Sequence, residues 1–239
     1  MAGRNHAILA LAALVLGGTV LPSLAHAQGV QDPAAQPMEV PTAHLLTSDE
    51  AVQLANWVVA SRDNGPLPFI VIDKTAAAVL VYGADGQMLG ATPALMGVAK
   101  GDDSTPGIGE RDLSSMGPAE RTTPAGRFVA RIGPAKGGQK VLWVDFETSV
   151  ALHPVVTTAP KERRLKRLQS PTPKDNRITY GCINVPATFF ENVVSPLFAD
   201  TPGVVYILPE TKYLIEVFPA FQLFAPPILR SAESASHDG

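Results

Sequence analysis

The sequence predicts a mainly β domain, an antiparallel sandwich or open barrel, with one helix at its N-terminal side and one packed late in the chain. Three observations predict it. Short apolar runs recur from Phe69 to Leu208, separated by turns bearing Gly, Pro and Asp. The runs follow one another as neighbours instead of alternating with helices, which argues against a wound parallel sheet. Only two stretches, 48–62 and 186–198, keep helical spacing.

Taken in order, residues 1–27 read as a secretory signal. Arg4 supplies the positive start, Ala7 to Val20 is apolar, and Ala25-His26-Ala27 is a small-x-small cleavage site. The apolar core is short and interrupted by Gly17, Gly18 and Pro22, which disfavours a membrane-spanning helix. No integral span is expected once the signal is removed. Residues 28–46 are polar and proline-bearing, a flexible leader. Over 47–66, Thr47-Ser48-Asp49-Glu50 resembles a capping box with Thr47 as N-cap. Val52, Leu54, Ala55, Val58 and Val59 then follow at helical spacing, and Asp63-Asn64-Gly65-Pro66 ends the helix.

Strand signals come next. Phe69 to Ile72 and Ala78 to Tyr82 flank Asp73-Lys74-Thr75, and Asp85-Gly86 is a hairpin signal before a run from Met88 to Val98. Residues 100–124 form a long polar connection, of the kind that is functional or mobile. Strands resume at 126–132, 140–146 and 148–153. Residues 155–178 hold no long apolar run but carry a basic stretch, Lys161 to Leu168, with five basic residues in eight. Pro186 suits a first helical residue, Phe190, Val193, Val194, Leu197 and Phe198 keep the period, and Pro196 disturbs the last turn. Gly203 to Leu208 is the last strand. The apolar stretch 211–230 is broken by Pro219, Pro226 and Pro227, and 231–239 is expected to be disordered.

The chain has 239 residues, a formal charge of −3 and one cysteine. That length suits one sizeable core behind the leader. The charge gives no reason to expect a nucleic-acid partner. One cysteine excludes an internal disulfide, and a lone thiol in an exported chain is exposed to oxidation, so its presence asks for a reason.

Cys182 follows Gly181 and precedes a helix start, a setting unlike that of a cysteine acting as a small core hydrophobe. Backbone N–H groups there can face a developing oxyanion. An unperturbed thiol, with a pKa of about 8.5, is only slightly ionised at neutral pH and needs a base. Beyond residue 27 the histidines are His44, His153 and His237, and only His153 lies among the strands. A Cys182–His153 pair is one reading; a structural histidine closing an apolar strand is the other. A metal site would need a carboxylate such as Asp145 or Glu147 without supporting spacing, so no metal is expected. There is no Gly-x-Ser-x-Gly elbow, and the glycines at 133–138 lack the lysine and hydroxyl ending of a phosphate loop. The basic run is either a solvated helix face or a rim that attracts carboxylates.

Thr179-Tyr180-Gly181-Cys182-Ile183-Asn184, after a strand ending in His153, resembles the catalytic signature of the L,D-transpeptidases (the YkuD-like domain). Phe69 to Tyr82 resembles that family's opening strand pair. Thr122-Thr123-Pro124-Ala125-Gly126-Arg127-Phe128 resembles its turn into a strand. The resemblance covers about 68–208 and places a catalytic domain over 67–210. It implies the mainly β fold of that family and action on peptidoglycan stem peptides in the periplasm or cell envelope. By resemblance Cys182 is the nucleophile and His153 the base. Pro154 orients the imidazole through its carbonyl, and Tyr180 and Gly181 contribute to the oxyanion hole. Thr179, Asn184 and Arg177 are candidate substrate contacts. No metal or organic cofactor is implied. Tyr180 departs from the usual histidine, and the interval from His153 to Cys182 is longer than usual. Three readings follow: an acyltransferase, an L,D-carboxypeptidase or endopeptidase that uses water, and a non-catalytic peptidoglycan-binding protein.

Overall fold

Runs of β-branched and aromatic residues pair into one large sheet because such side chains fit a pleated, buried surface. The computed structural model describes residues 47–224. Its strands are β1 (Phe69–Asp73), β2 (Ala78–Tyr82), β3 (Met88–Pro93), β4 (Met96–Gly97), β5 (Gly126–Pro134), β6 (Lys140–Asp145), β7 (Val150–Pro154), β8 (Arg177–Thr179), β9 (Ile183–Val185) and β10 (Gly203–Ile207). Eight of them form a sheet in the order β3-β2-β1-β10-β5-β6-β7-β9, and β4 pairs with β8 separately. The domain is mainly β. The expected signal segment and leader, and residues beyond 224, lie outside the described residues.

The sheet is mixed. β1 pairs in parallel with β10 and β7 in parallel with β9, while the other neighbours in the large sheet are antiparallel. A parallel pair needs a long crossover, and the strand-poor segment after Pro154 is that crossover for β7 and β9. The single run expected from Met88 to Val98 is two strands. Pro93 has no N–H to continue the ladder with β2. Leu95 instead exchanges backbone bonds with Asn184, and β4 turns to β8.

One face of the sheet buries Ile70, Val81, Val205, Leu142, Leu152 and Ile183 against Phe190, Val194 and Phe198. The opposite face of β1, β2 and β10 is also covered. Phe69, Val71, Leu80, Val204 and Tyr206 lie under Leu54, Trp57 and Val58 of α1 (Asp49–Ser61) and under Phe218 and Phe221. These three strands are therefore buried at every residue, which is why they read as unbroken apolar runs. Each fully buried Ile, Leu or Phe stabilises the domain by about 1.5–3 kcal/mol. α1 is capped by Ser48, one residue later than the Thr47 expected. Ser48 Oγ accepts from Ala51 N (3.2 Å) while its own N–H is taken by Asp73 (2.7 Å).

A short helix α2 (Arg164–Leu168) lies in the crossover, and after β9 come the short helices α3 (Ala187–Phe189) and α4 (Ser195–Leu197). A π-helical turn, Phe190–Val194, joins α3 to α4. Pro196 stands just beyond it, where its missing N–H cannot close an ordinary α-turn. A last short helix, α5 (Leu214–Val217), leads into the turn that places Phe218 and Phe221 on Trp57 and Tyr206.

Candidate active site

Strands β7 and β9 set the site. Their register places Leu152 opposite Ile183, His153 opposite Asn184 and Pro154 opposite Val185. Alternation sends Leu152 and Ile183 into the core and turns His153 and Asn184 to the other face. Cys182 immediately precedes β9, two residues before Asn184 and on the same side.

The hydrogen bonds define the state of each group. His153 Nδ1 lies 2.8 Å from the Pro154 carbonyl. A carbonyl only accepts, so Nδ1 carries a proton. Nε2 lies 3.0 Å from Asn184 Nδ2, which donates to it. Asn184 Oδ1 in turn accepts from Arg164 Nη1 at 2.8 Å, and Arg164 Nε pairs with Glu162 at 2.6 Å. Burial lowers the proton affinity of His153; the Pro154 carbonyl opposes this and the Arg164 charge adds to it. The Cys182 thiol points at the Ser149 carbonyl, 3.5 Å away. Burial pushes this thiol up, with the Ala151 N–H and the Arg164 charge acting the other way. The resting pair is thus a neutral thiol and a neutral imidazole. Each is bonded to a third group, and no hydrogen bond joins them among the described residues.

The turn before Cys182 is tightly built. Gly181 has φ +129°, and a Cβ there would stand 2.7 Å from the Thr122 carbonyl. Only glycine fits such backbone so close to another chain segment. The Gly181 N–H donates to Thr179 Oγ1 (3.2 Å), and the same hydroxyl donates to the Cys182 carbonyl (2.6 Å). Thr179 therefore closes the turn, and the Gly181 N–H is already engaged. The Gly181 carbonyl accepts from Thr123 Oγ1 at 2.8 Å. Tyr180 lies under the Arg121 guanidinium, 4.0 Å from ring centre to carbon, and Arg121 also donates to the Met116 carbonyl.

The long connection 100–124 covers this turn through three 3₁₀ turns, Ile108–Glu110, Leu113–Ser115 and Pro118–Glu120. Gly109 packs where a Cβ would be 2.0 Å from the Glu147 carbonyl. Ser149, left-handed at φ 59°, donates to the Gly109 carbonyl at 3.2 Å. Ile108, Met116, Thr122, Ser149, Tyr180 and Cys182 line a small crevice of about 30 Å³. His153 is not among the residues that line it.

Both ends of the connection are fixed by a buried ammonium. Lys74 Nζ donates to the Gly101 carbonyl (2.6 Å), to Asp102 (2.6 Å) and to the Thr123 carbonyl (3.0 Å). Burial alone would raise the Asp102 carboxyl. Lys74, the Thr211 hydroxyl and the N–H groups of Glu210 and Thr211 outweigh it and hold Asp102 well below the usual carboxylate range. Arg177 belongs to the same network, donating to Glu210 at 2.5 Å and to the Lys74 carbonyl at 2.9 Å. Its guanidinium is thereby engaged by Glu210 and the Lys74 carbonyl.

The structure thus gathers Cys182, Gly181, Tyr180 and Thr179 on one turn and His153, Pro154 and Asn184 beside it. Arg164, Arg121 and Lys74 were not among the candidate residues. Arg164 stood within the basic run, where Lys161, Arg163 and Lys166 are indeed exposed while Arg164 turns inward. Among the described residues no group of three His, Cys, Asp or Glu side chains is placed to hold a metal ion. No helix among them is long and apolar enough to cross a membrane.

No protein-family model matches the chain, and no curated protein matches it. Among solved structures, an L,D-transpeptidase from Xylanimonas cellulosilytica aligns at 14% identity and a TM-score of 0.36, over 61% of this chain and 62% of that one. The helical cell shape determining protein Pgp2 from Campylobacter jejuni aligns at 14% identity and a TM-score of 0.40, over 67% of this chain and 57% of that one. The chain therefore spans about three fifths of the length of these structures.

Proposed function

We propose that the chain is an exported cysteine acyltransferase acting on peptidoglycan stem peptides, with Cys182 as nucleophile and His153 as general base. The observation that carries the proposal is the β7–β9 register. An imidazole with a proton on Nδ1 and a lone pair on Nε2 thereby lies one strand away from the unique thiol, which lines a small crevice. The substrate class follows from the resemblance of Thr179 to Asn184 to the L,D-transpeptidase signature.

In the reaction, Nε2 exchanges its bond with Asn184 for the thiol and takes the Sγ proton. The sulfur attacks the carbonyl carbon that joins an L-centre to a terminal D-residue. The tetrahedral intermediate collapses, the amine of the D-residue leaves with the proton from His153, and a thioester remains. An amine of a second stem attacks the thioester, loses a proton to His153, and Cys182 is restored as the thiol. N–H groups of the turn at Tyr180 and Cys182 are the candidates for holding the oxyanion, since that of Gly181 is engaged by Thr179.

The test is incubation with purified tetrapeptide-stem muropeptides, followed by mass spectrometry of protein and products. An acyl adduct on Cys182 and cross-linked dimers are expected, both lost in Cys182→Ala. Shortened stems without dimers would assign water as the acceptor, making the protein a hydrolase. A second reading, a non-catalytic peptidoglycan-binding protein, is favoured by one observation: both imidazole nitrogens and the thiol are bonded elsewhere. Absence of any adduct, with binding to purified peptidoglycan retained, would select it.

A further inference from the structure

The strand-poor crossover from β7 to β9 delivers one buried charge to the site. Arg163 takes a left-handed conformation (φ 50°), which starts α2 there, and Leu168 anchors the far end of α2 in the protein. The Arg164 side chain, only 14% exposed, then lies between Glu162 and Asn184.

An asparagine amide can meet a histidine in two ways. With Nδ2 toward the ring it donates to a neutral Nε2. With Oδ1 toward the ring it suits only a protonated Nε2–H. Arg164 decides between them, because its Nη1 can only donate and so demands Oδ1 on its own side. Nδ2 is left to face His153 Nε2. The Pro154 carbonyl fixes the proton on Nδ1, and Asn184 covers the remaining lone pair.

We propose that Arg164 is a positioning residue: it holds the Asn184 amide with Nδ2 toward His153, which keeps the imidazole neutral in its Nδ1–H form and its basic nitrogen covered in the resting protein. The acyl-transfer reading gives this arrangement its catalytic meaning, since the base must be uncovered before the thiol can lose its proton. The groups that act on the ring are Asn184 from β9, Arg164 with Glu162 behind it from the crossover, and the Pro154 carbonyl; the Cys182 thiol is turned to the Ser149 carbonyl. Neighbouring β6 offers Leu142 and Trp143 opposite Leu152 and Ala151, neither of which titrates.

The experiment is ¹⁵N-histidine NMR of the full chain over a pH range, with the His153 resonances assigned by their loss in His153→Gln. The wild-type ring is expected as the Nδ1–H tautomer with a midpoint below that of an ordinary histidine. Arg164→Met and Arg164→Gln both remove the charge, but only glutamine keeps a donor for Asn184 Oδ1. The midpoint is expected to rise by about one unit in Arg164→Met and by clearly less in Arg164→Gln. Equal midpoints in the two variants, or an Nε2–H tautomer in the wild type, would overturn the proposal. Asn184→Asp gives an independent reading: it replaces the donor by a carboxylate, so His153 should be protonated at neutral pH, and a neutral ring there would also overturn it. None of these measurements needs a substrate, so failure of acyl transfer and failure of this inference are separately visible.

Discussion

Lys74→Met asks whether a buried charge, and not the sheet alone, holds residues 100–124 over Cys182. The Lys74 side chain is fully buried, and its ammonium makes three short bonds, at 2.6, 2.6 and 3.0 Å. Methionine nearly fills the stem volume but donates nothing. Asp102 is not orphaned by the change, because it keeps the N–H groups of Glu210, Thr211 and Lys212 and the Thr211 hydroxyl. The carbonyls of Gly101 and Thr123 lose the ammonium. At about 1–3 kcal/mol for each buried group left unpaired, the loss is about 2–6 kcal/mol, in line with the ~3–5 kcal/mol typical of breaking one side of a buried ion pair. For a domain of this size that lowers the melting temperature by about 4–24 °C. Calorimetry of Lys74→Met, Asp102→Asn and the double variant measures it. The double variant should cost less than the two single losses together, since the pair is removed as a unit. The rate of Cys182 alkylation in the folded Lys74→Met protein should rise as the connection loosens. A melting temperature within about 2 °C of wild type, with strictly additive losses, would refute the reasoning.

Gly181→Ala should lower stability by about 1–3 kcal/mol and change the alkylation rate of Cys182, because the new Cβ meets the Thr122 carbonyl in a backbone region reserved for glycine. Melting curves and iodoacetamide kinetics that match wild type would show that the turn carries no such constraint. The pH profile of alkylation reports the resting thiol. Since burial raises it, the rate should still be climbing above about pH 9, beyond the range of a free thiol; a plateau below about pH 8 would instead reveal a preformed thiolate–imidazolium pair.

The parts of the fold visible in the sequence were those with a local cause. Phe69 to Ile72 and Ala78 to Tyr82 are apolar at every position, which only strands buried on both faces require, and the structure buries them under α1 on one face and Phe190 on the other. What the sequence concealed depends on partners far along the chain. Lys74 sits in an Asp-Lys-Thr turn and reads as a surface lysine, yet Gly101, Asp102 and Thr123 enclose it completely. Arg164 looks like its neighbours Lys161, Arg163 and Lys166; only the start of α2 after a left-handed Arg163 separates the inward arginine from the solvated ones. The parallel pairing of β7 with β9 is hidden for the same reason. No residue within either short strand encodes it, and the long crossover permits it without specifying it.

The directions of the two proton affinities constrain how the proposed reaction can begin. For free side chains, moving a proton from cysteine to histidine is uphill by about 2 units, or ~3 kcal/mol. Here burial raises the thiol and lowers the imidazole, so the gap is wider at rest. Arg164 stabilises the thiolate but opposes the imidazolium, and by holding Asn184 it also covers Nε2. The ion pair therefore cannot be the stored form of this site. In the proposed reaction it forms only when a bound peptide changes the surroundings of the thiol and the Asn184–His153 bond is exchanged. On the proposed mechanism the thiol stays protonated, and hence weakly reactive toward oxidants, until a stem peptide binds beside it.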